Sequence, residues 1–298
     1  MVSQGDVLYY PGIFLTGAAQ MIYLLLAIAS STMVSVFSRM STGRVKNRNA
    51  MVAFNYLACS ATGFALMRTT KIFPLAQGLD TAILMAVVGG AMYLCGFLLL
   101  QWNISRNGVV LPATFQKLCV LVPTVCALVV FKETPTLLQV IGFIAAVFAI
   151  FMINGGGGST KKGSTIGLIA LMLMGGSVDA LGKFYAEWGN PQIKDHYLFY
   201  VFFCAFAYAC ILCIVTKQKP ALWDAAFGVM VGVPNYLCSR FLLLSLADVP
   251  AVVAYPTFSV GTIICVTLIG CIFFKERLAR RQIFAMGVIL AALALLNM

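Results

Sequence analysis

Long apolar runs, broken by short polar or basic stretches, organise the whole chain. Ten of them approach the roughly 20 residues that a helix needs to cross a hydrocarbon core. They cover residues 22–38, 50–67, 81–101, 109–131, 137–153, 165–183, 197–215, 222–246, 249–274 and 282–297. The runs are continuously apolar, not alternating in ten-residue segments, so they predict membrane-spanning helices and argue against a barrel. Residues 1–20 contain no Lys or Arg, so they are expected to be an N-terminal extension and not a cleavable leader.

Near the midpoint, Asn154 to Ser164 reads NGGGGSTKKGS, a segment without periodicity that separates five spans from five. The two halves repeat one another. Tyr93-Leu94-Cys95 recurs as Tyr236-Leu237-Cys238, and Phe131-Lys132-Glu133 recurs as Phe274-Lys275-Glu276. Six residues past each Glu stands a Gln, Gln139 and Gln282, while Pro112 matches Pro256 and Arg39 matches Lys183. An odd number of spans per half makes the second repeat enter the membrane from the face opposite to the first. The expected fold is therefore all-α and polytopic: ten transmembrane helices as two inverted five-helix repeats, residues 21–153 and 165–298, joined by the linker 154–164.

Composition turns the apolar partner into lipid. Among 298 residues, 61% are hydrophobic and 10% charged, too few charges to cover a soluble body. The net charge of +11 would otherwise suggest nucleic acid, but the basic residues punctuate the apolar runs and read as topology signals. Loops after spans 1, 3, 5, 7 and 9 hold 13 Lys or Arg, with Arg39 counted as loop, against 4 in the remaining loops. The positive-inside rule then puts both termini outside the cytosol.

Catalytic and cofactor signatures are not expected. Gly155 to Gly158 is followed by Ser159-Thr160-Lys161-Lys162 without the strand or the ending of a phosphate loop. The one His, His196, supports neither a zinc site nor a dyad, and Cys210 and Cys213 have CxxC spacing in an apolar setting. No enzyme activity, metal or cofactor follows.

Five plus five short helices, the Glu and Gln pairs at the start of each last helix, and a Pro early in each fourth helix resemble the drug/metabolite transporter superfamily. The EamA-like domain, present twice, is the specific likeness. The resemblance implies a permease of the plasma or inner membrane, often an exporter, with a central cavity between the halves. It also implies both termini inside, against the charge count. The first helix departs from it, with Ala29-Ser30-Ser31-Thr32 where many members open on Trp-Gly.

Ionisable residues inside spans cost roughly 2.5–3.5 kcal/mol each on insertion scales, so each needs a partner or a cavity. Lys117 falls near mid-depth of the fourth span, beside Gln116. Arg240 falls in the middle of the eighth span, with no basic counterpart in the other half, and either meets a substrate carboxylate or pairs with Asp179. Asp179 and Lys183 are four apart on one helix face, either a structural pair or substrate and proton handling. Asn55, Asn235 and Tyr255 add hydrogen-bonding groups that serve equally as glue between helices. Glu133 and Glu276 either cap the following helices or close gates. The candidate substrate-binding set is thus Lys117, Arg240, Asp179, Lys183, Gln116, Asn55, Asn235 and Tyr255. Its positive balance predicts a small metabolite or amino acid with an anionic group, moved by secondary or facilitated transport with protons as the coupling ion. The alternatives are cationic drugs as cargo, or a scaffold or channel. Membrane lipids are the other expected partners, nucleic acid is not, and the chain is expected as monomer or homodimer.

Overall fold

The computed structural model describes residues 17–67, 71–107, 112, 115, 116, 118–154, 165–217, 219–247, 249–273, 284, 287, 288, 291, 292, 294 and 295. Among them are nine α-helices and no strand. In order these are α1 (Gly17–Met40), α2 (Arg48–Leu66), α3 (Leu79–Asn107), α4 (Leu121–Val129), α5 (Leu137–Asn154), α6 (Thr165–Trp188), α7 (Lys194–Val215), α8 (Leu222–Ser245) and α9 (Ala251–Phe273). Six stretches, within α1, α3, α6, α8, α9 and from Pro191 through α7, are long and apolar enough to cross a membrane. The tenth expected span falls largely outside the described residues, as do Lys117, Phe274-Lys275-Glu276, Gln282 and most of the linker.

Local sequence explains the boundaries. Asn47 accepts from the Ala50 N–H at 3.1 Å and starts α2. Thr136 and Gln139 cap α5 reciprocally, each accepting from the other's N–H at 3.3 and 3.0 Å. In the fourth span, expected over 109–131, the described residues are helical at 112, 115 and 116, form a 3-10 turn at Leu118–Val120 and continue as α4.

Helix α2 is the instructive departure from the apolar pattern. It packs against both α7 and α8, and Asn55 and Ser60 are buried there. On the side packed against these helices it can carry polar side chains, while Leu57, Phe64 and Leu66 are exposed on its outer side. Further contacts pair α1 with α8 and α9, α3 with α6 and α7, and α4 with α6 and α9. Adding five to each number converts α1·α8 into α6·α3, with the tenth place followed by the first, and α1·α9 into α6·α4 in the same way. Glycines make these approaches possible. A Cβ on Gly90 would lie 2.8 Å from the Ala205 nitrogen, and one on Gly232 would lie 2.4 Å from the Asn55 carbonyl oxygen.

Contacts between loops sort the helix ends into two faces. On one, the Asp224 carboxylate accepts from the Lys46 and Asn47 N–H groups at 2.8 and 3.2 Å, tying the loop after α1 to the start of α8. Asn103 at the end of α3 donates to the Gly167 carbonyl of α6 at 2.8 Å on the same face. At the other end, Asn190 donates to the Gln77 carbonyl at 2.9 Å, and the His196 ring lies 3.2 Å from the Lys71 carbonyl oxygen. The loops after α1 and α3 carry the basic excess, so the first is called the basic face below.

Candidate functional site

A cavity of about 480 Å³ lies among α1, α2, α3, α6 and α8, with Gln116 and Cys119 from the segment leading into α4. Arg48 and Ser41 border it towards the basic face, and Tyr93 and Asp179 border it deeper in. Its wall is mixed: Met51, Met92 and Phe97 supply apolar surface, while Asn55, Asn235 and Gln116 supply amides. Asn235 donates to the Asn55 side-chain oxygen at 3.3 Å, linking α8 to α2 across the cavity wall. Pro234, one residue earlier in α8, has no N–H to offer the carbonyl of the fourth residue before it, Met230.

Four of the expected site residues are therefore brought together: Asn55, Asn235, Gln116 and Asp179. Lys117 lies outside the described residues. Arg48 was not anticipated, because in the sequence it is one of several loop charges that mark topology. Its only distinguishing sign is its place at the first residue of a helix whose inner face is polar.

Tyr255 sits behind the cavity, not in its wall. A second space of about 50 Å³ shares Tyr93 and Asp179 with the first and adds Tyr197, Ser239 and Tyr255. The Tyr255 hydroxyl donates to the main-chain oxygen of Asp179 at 2.6 Å, and the hydroxyls of Tyr93 and Ser239 are 3.4 Å apart. Residues around Asp179 thus separate a larger cavity from a space with room for a water molecule or two.

Two expectations about charge are corrected. Arg240 does not stand at mid-span: it lies near the far end of α8, where its guanidinium grips Asp195 with bonds of 2.8 and 3.1 Å. Asp195 belongs to the first turn of α7, so the pair locks α8 to α7 at the face opposite the basic one. Lys183, for which Asp179 was the expected partner, instead contacts Glu133 at 2.8 Å and Glu187 at 2.5 Å. Both carboxylates lie towards the end of α6 that is distant from the basic face, and Lys183 is 2% exposed.

Glu133 has a role that spacing along the chain did not suggest. Its two oxygens accept from the Ala251 and Val252 N–H groups, each at 3.2 Å, so it caps α9 and not the next helix, α5. Gln139, six residues on, does the work at α5. A single carboxylate therefore joins α4, α6 and α9, while Phe131 beside it packs on Phe184 and Trp188 of α6. Tyr185 and Tyr197 stack with centroids 3.7 Å apart near the same end. Ser41 and Arg48 lie at the basic-face end of the cavity wall, and the opposite end of the bundle carries, among the described residues, two ion-pair clusters and packed aromatics.

Among the described residues no His, Cys, Asp and Glu group is placed to hold a metal, and Cys210 and Cys213 are free thiols. The chemistry this site offers is recognition: amide hydrogen bonds, aromatic and thioether surface, one guanidinium and one carboxylate.

The geometry defines an integral multi-pass helical membrane protein with an internal cavity. The chain bears three likenesses to known proteins. The family model of the Small Multidrug Resistance protein matches residues 197–289, from the first turn of α7 past the end of α9. An uncharacterized protein of Haemophilus influenzae is 25% identical over 275 residues, covering 86% of this chain and 91% of that one. A crystal structure of a protein with 10% sequence identity superposes with a TM-score of 0.74, covering 93% of this chain and 96% of the other, which is a likeness of fold. The matching family model is thus a multidrug-resistance model, where the sequence motifs suggested an EamA-like one.

Proposed function

We propose that this protein is a secondary or facilitated transporter that exports a small molecule through the cavity of about 480 Å³ by alternating access. The observation that carries the reading is the asymmetry of the bundle: polar groups line a cavity that reaches Ser41 and Arg48 towards the basic face, while ion pairs and packed aromatics gather at the opposite end, which we read as the sealed one. A channel would need a continuous polar path, and the barrier around Asp179 interrupts one. The exchange of helix contacts on adding five supports two inverted EamA-like repeats as the basis of the alternation.

The substrate we favour bears an anionic group. Arg240 and Lys183 are committed to Asp195, Glu133 and Glu187, so that reading now rests on Arg48 at the cavity and on Lys117. Asn55, Asn235 and Gln116 would orient the polar part, and Asp179 would take the coupling proton. A cationic drug is the second reading, favoured by the multidrug-resistance match and by the carboxylate of Asp179 in the wall.

The deciding experiment is flux of a panel of carboxylate, zwitterionic and cationic compounds in proteoliposomes with an imposed pH gradient. Under the first reading, Arg48→Gln weakens carboxylate uptake, and Asp179→Asn removes the response to the pH gradient. Transport of cations alone would select the second reading. No gradient-sensitive or saturable flux of any class would remove both.

A further inference from the structure

Helix α1 has two used faces, and only one belongs to the cavity. Val34, Ser38 and Ser41 face inward, whereas Met33, Val36, Phe37 and Met40 lie at helical spacing on another side. With Ile269 and Phe273 of α9 this second face forms a groove of about 700 Å³. The groove is almost wholly apolar along its length. At its end near the basic face stand two polar residues, Thr42 and Arg44.

We propose that this groove is a binding site for an anionic phospholipid, one acyl chain lying along Met33, Phe37 and Ile269 and the phosphate meeting Arg44 and Thr42. The groove is amphipathic in the order a lipid needs: hydrocarbon surface within the span, a cation and a hydroxyl where the span ends. Charge complementarity selects an anionic headgroup, since residues 39–48 include Arg39, Arg44, Lys46 and Arg48 and no acid. Arg44 is also held in place, its guanidinium 5.9 Å from the centre of the Phe227 ring. The turn that presents it is shaped by Gly43, whose φ of 82° suits glycine. Because the opposite face of α1 lines the transport cavity, a lipid seated here touches the helix that borders the cavity mouth.

Native mass spectrometry of the purified full chain in detergent, given equal amounts of phosphatidylglycerol and phosphatidylcholine with identical chains, tests this. The wild type is expected to retain one phosphatidylglycerol in preference to phosphatidylcholine. Arg44→Gln should lower that preference about fivefold, the worth of one basic contact at a membrane surface. Arg44→Lys should keep it, which separates charge from stacking on Phe227. Val36→Trp, which fills the groove and leaves Arg44 in place, should lower retention of both lipids. The proposal is overturned if the wild type shows no preference, if Arg44→Gln keeps it, or if Val36→Trp leaves retention unchanged. The last result would mean that the groove is occupied by this chain's own residues after Phe273 or that lipid sits elsewhere.

Discussion

Lys183→Met is the sharpest test of the seal opposite the basic face. The substitution keeps length and apolar stem but removes the charge that Glu133 and Glu187 share at 2.8 and 2.5 Å. Deleting one partner of a buried ion pair costs about 3–5 kcal/mol in soluble proteins, mostly because the other is left uncompensated. Two features lower the figure here. The Glu187 side chain is 41% exposed and can rehydrate, so its contribution is discounted. Glu133, whose side chain is 17% exposed, keeps the Ala251 and Val252 N–H groups at 3.2 Å. A loss of about 2 kcal/mol remains, close to thirtyfold in the ratio of sealed to open forms. The assay is alkylation of Ser239→Cys, in a background without other cysteines, by a membrane-impermeant maleimide applied from the sealed face. Ser239 lines the small space behind the barrier, so its labelling reports opening at that face. Labelling that is no faster in Lys183→Met than in the parent, at matched folded yield, would refute the assignment of this cluster as a seal.

Other positions give independent checks. Asp224→Ala removes a fully buried carboxylate that holds three N–H groups, those of Lys46, Asn47 and Ala221, and should destabilise by about 2–3 kcal/mol; a thermal unfolding midpoint in detergent equal to that of the parent would contradict it. Gly232→Val places a side chain against the Asn55 backbone, so it should lower folded yield more than Gly182→Val, where a Cβ meets nothing within 4 Å; size-exclusion profiles measure both. Cysteines at Lys219 and Gln77 should label from opposite sides of the membrane, with Lys219→Cys protected in intact cells under the charge-based orientation. Labelling of both from the same side would break the division into two faces.

How far the sequence foretold these arrangements depended on the range of the interaction. Apolar runs placed the nine described helices because burial in lipid is a property of each segment alone, and the described contacts at the helix ends fall on two faces divided as the charge count divides the loops. The cap at Gln139 is equally local. Arg240 and Lys183 were misjudged as cavity cations for the converse reason: their partners Asp195 and Glu133 are 45 and 50 positions away, at helix ends that only packing brings near. Chain position also made Glu133 look like the cap of α5, when the free N–H groups at the start of α9 were nearer in space. Asn55 and Asn235 were legible as polar residues in apolar helices, but not as a bonded pair.

The redistribution of charge changes the physical basis of the site. A cavity holding several unpaired cations would carry a large desolvation cost whenever empty, and a transporter must pass through empty states. On the proposed reading, Arg240 and Lys183 are kept neutralised in ion pairs that join helices and would hold one end shut, while among the described lining residues Arg48 and Asp179 are the charges in a wall otherwise made of amides, aromatic and apolar surface. Amides hydrogen-bond each other when no ligand is present, as Asn235 and Asn55 do at 3.3 Å, and can exchange that weak bond for one to a substrate. On that reading, recognition of a substrate falls to the amides and Arg48, while the larger electrostatic energies act on the helix contacts that alternating access would break. On this reasoning a double variant, Asn55→Leu with Asn235→Leu, should lose substrate affinity yet leave Ser239→Cys labelling from the sealed face unchanged. If that labelling rises as much as in Lys183→Met, the amide pair belongs to the seal, and recognition and closure are not separate in this protein.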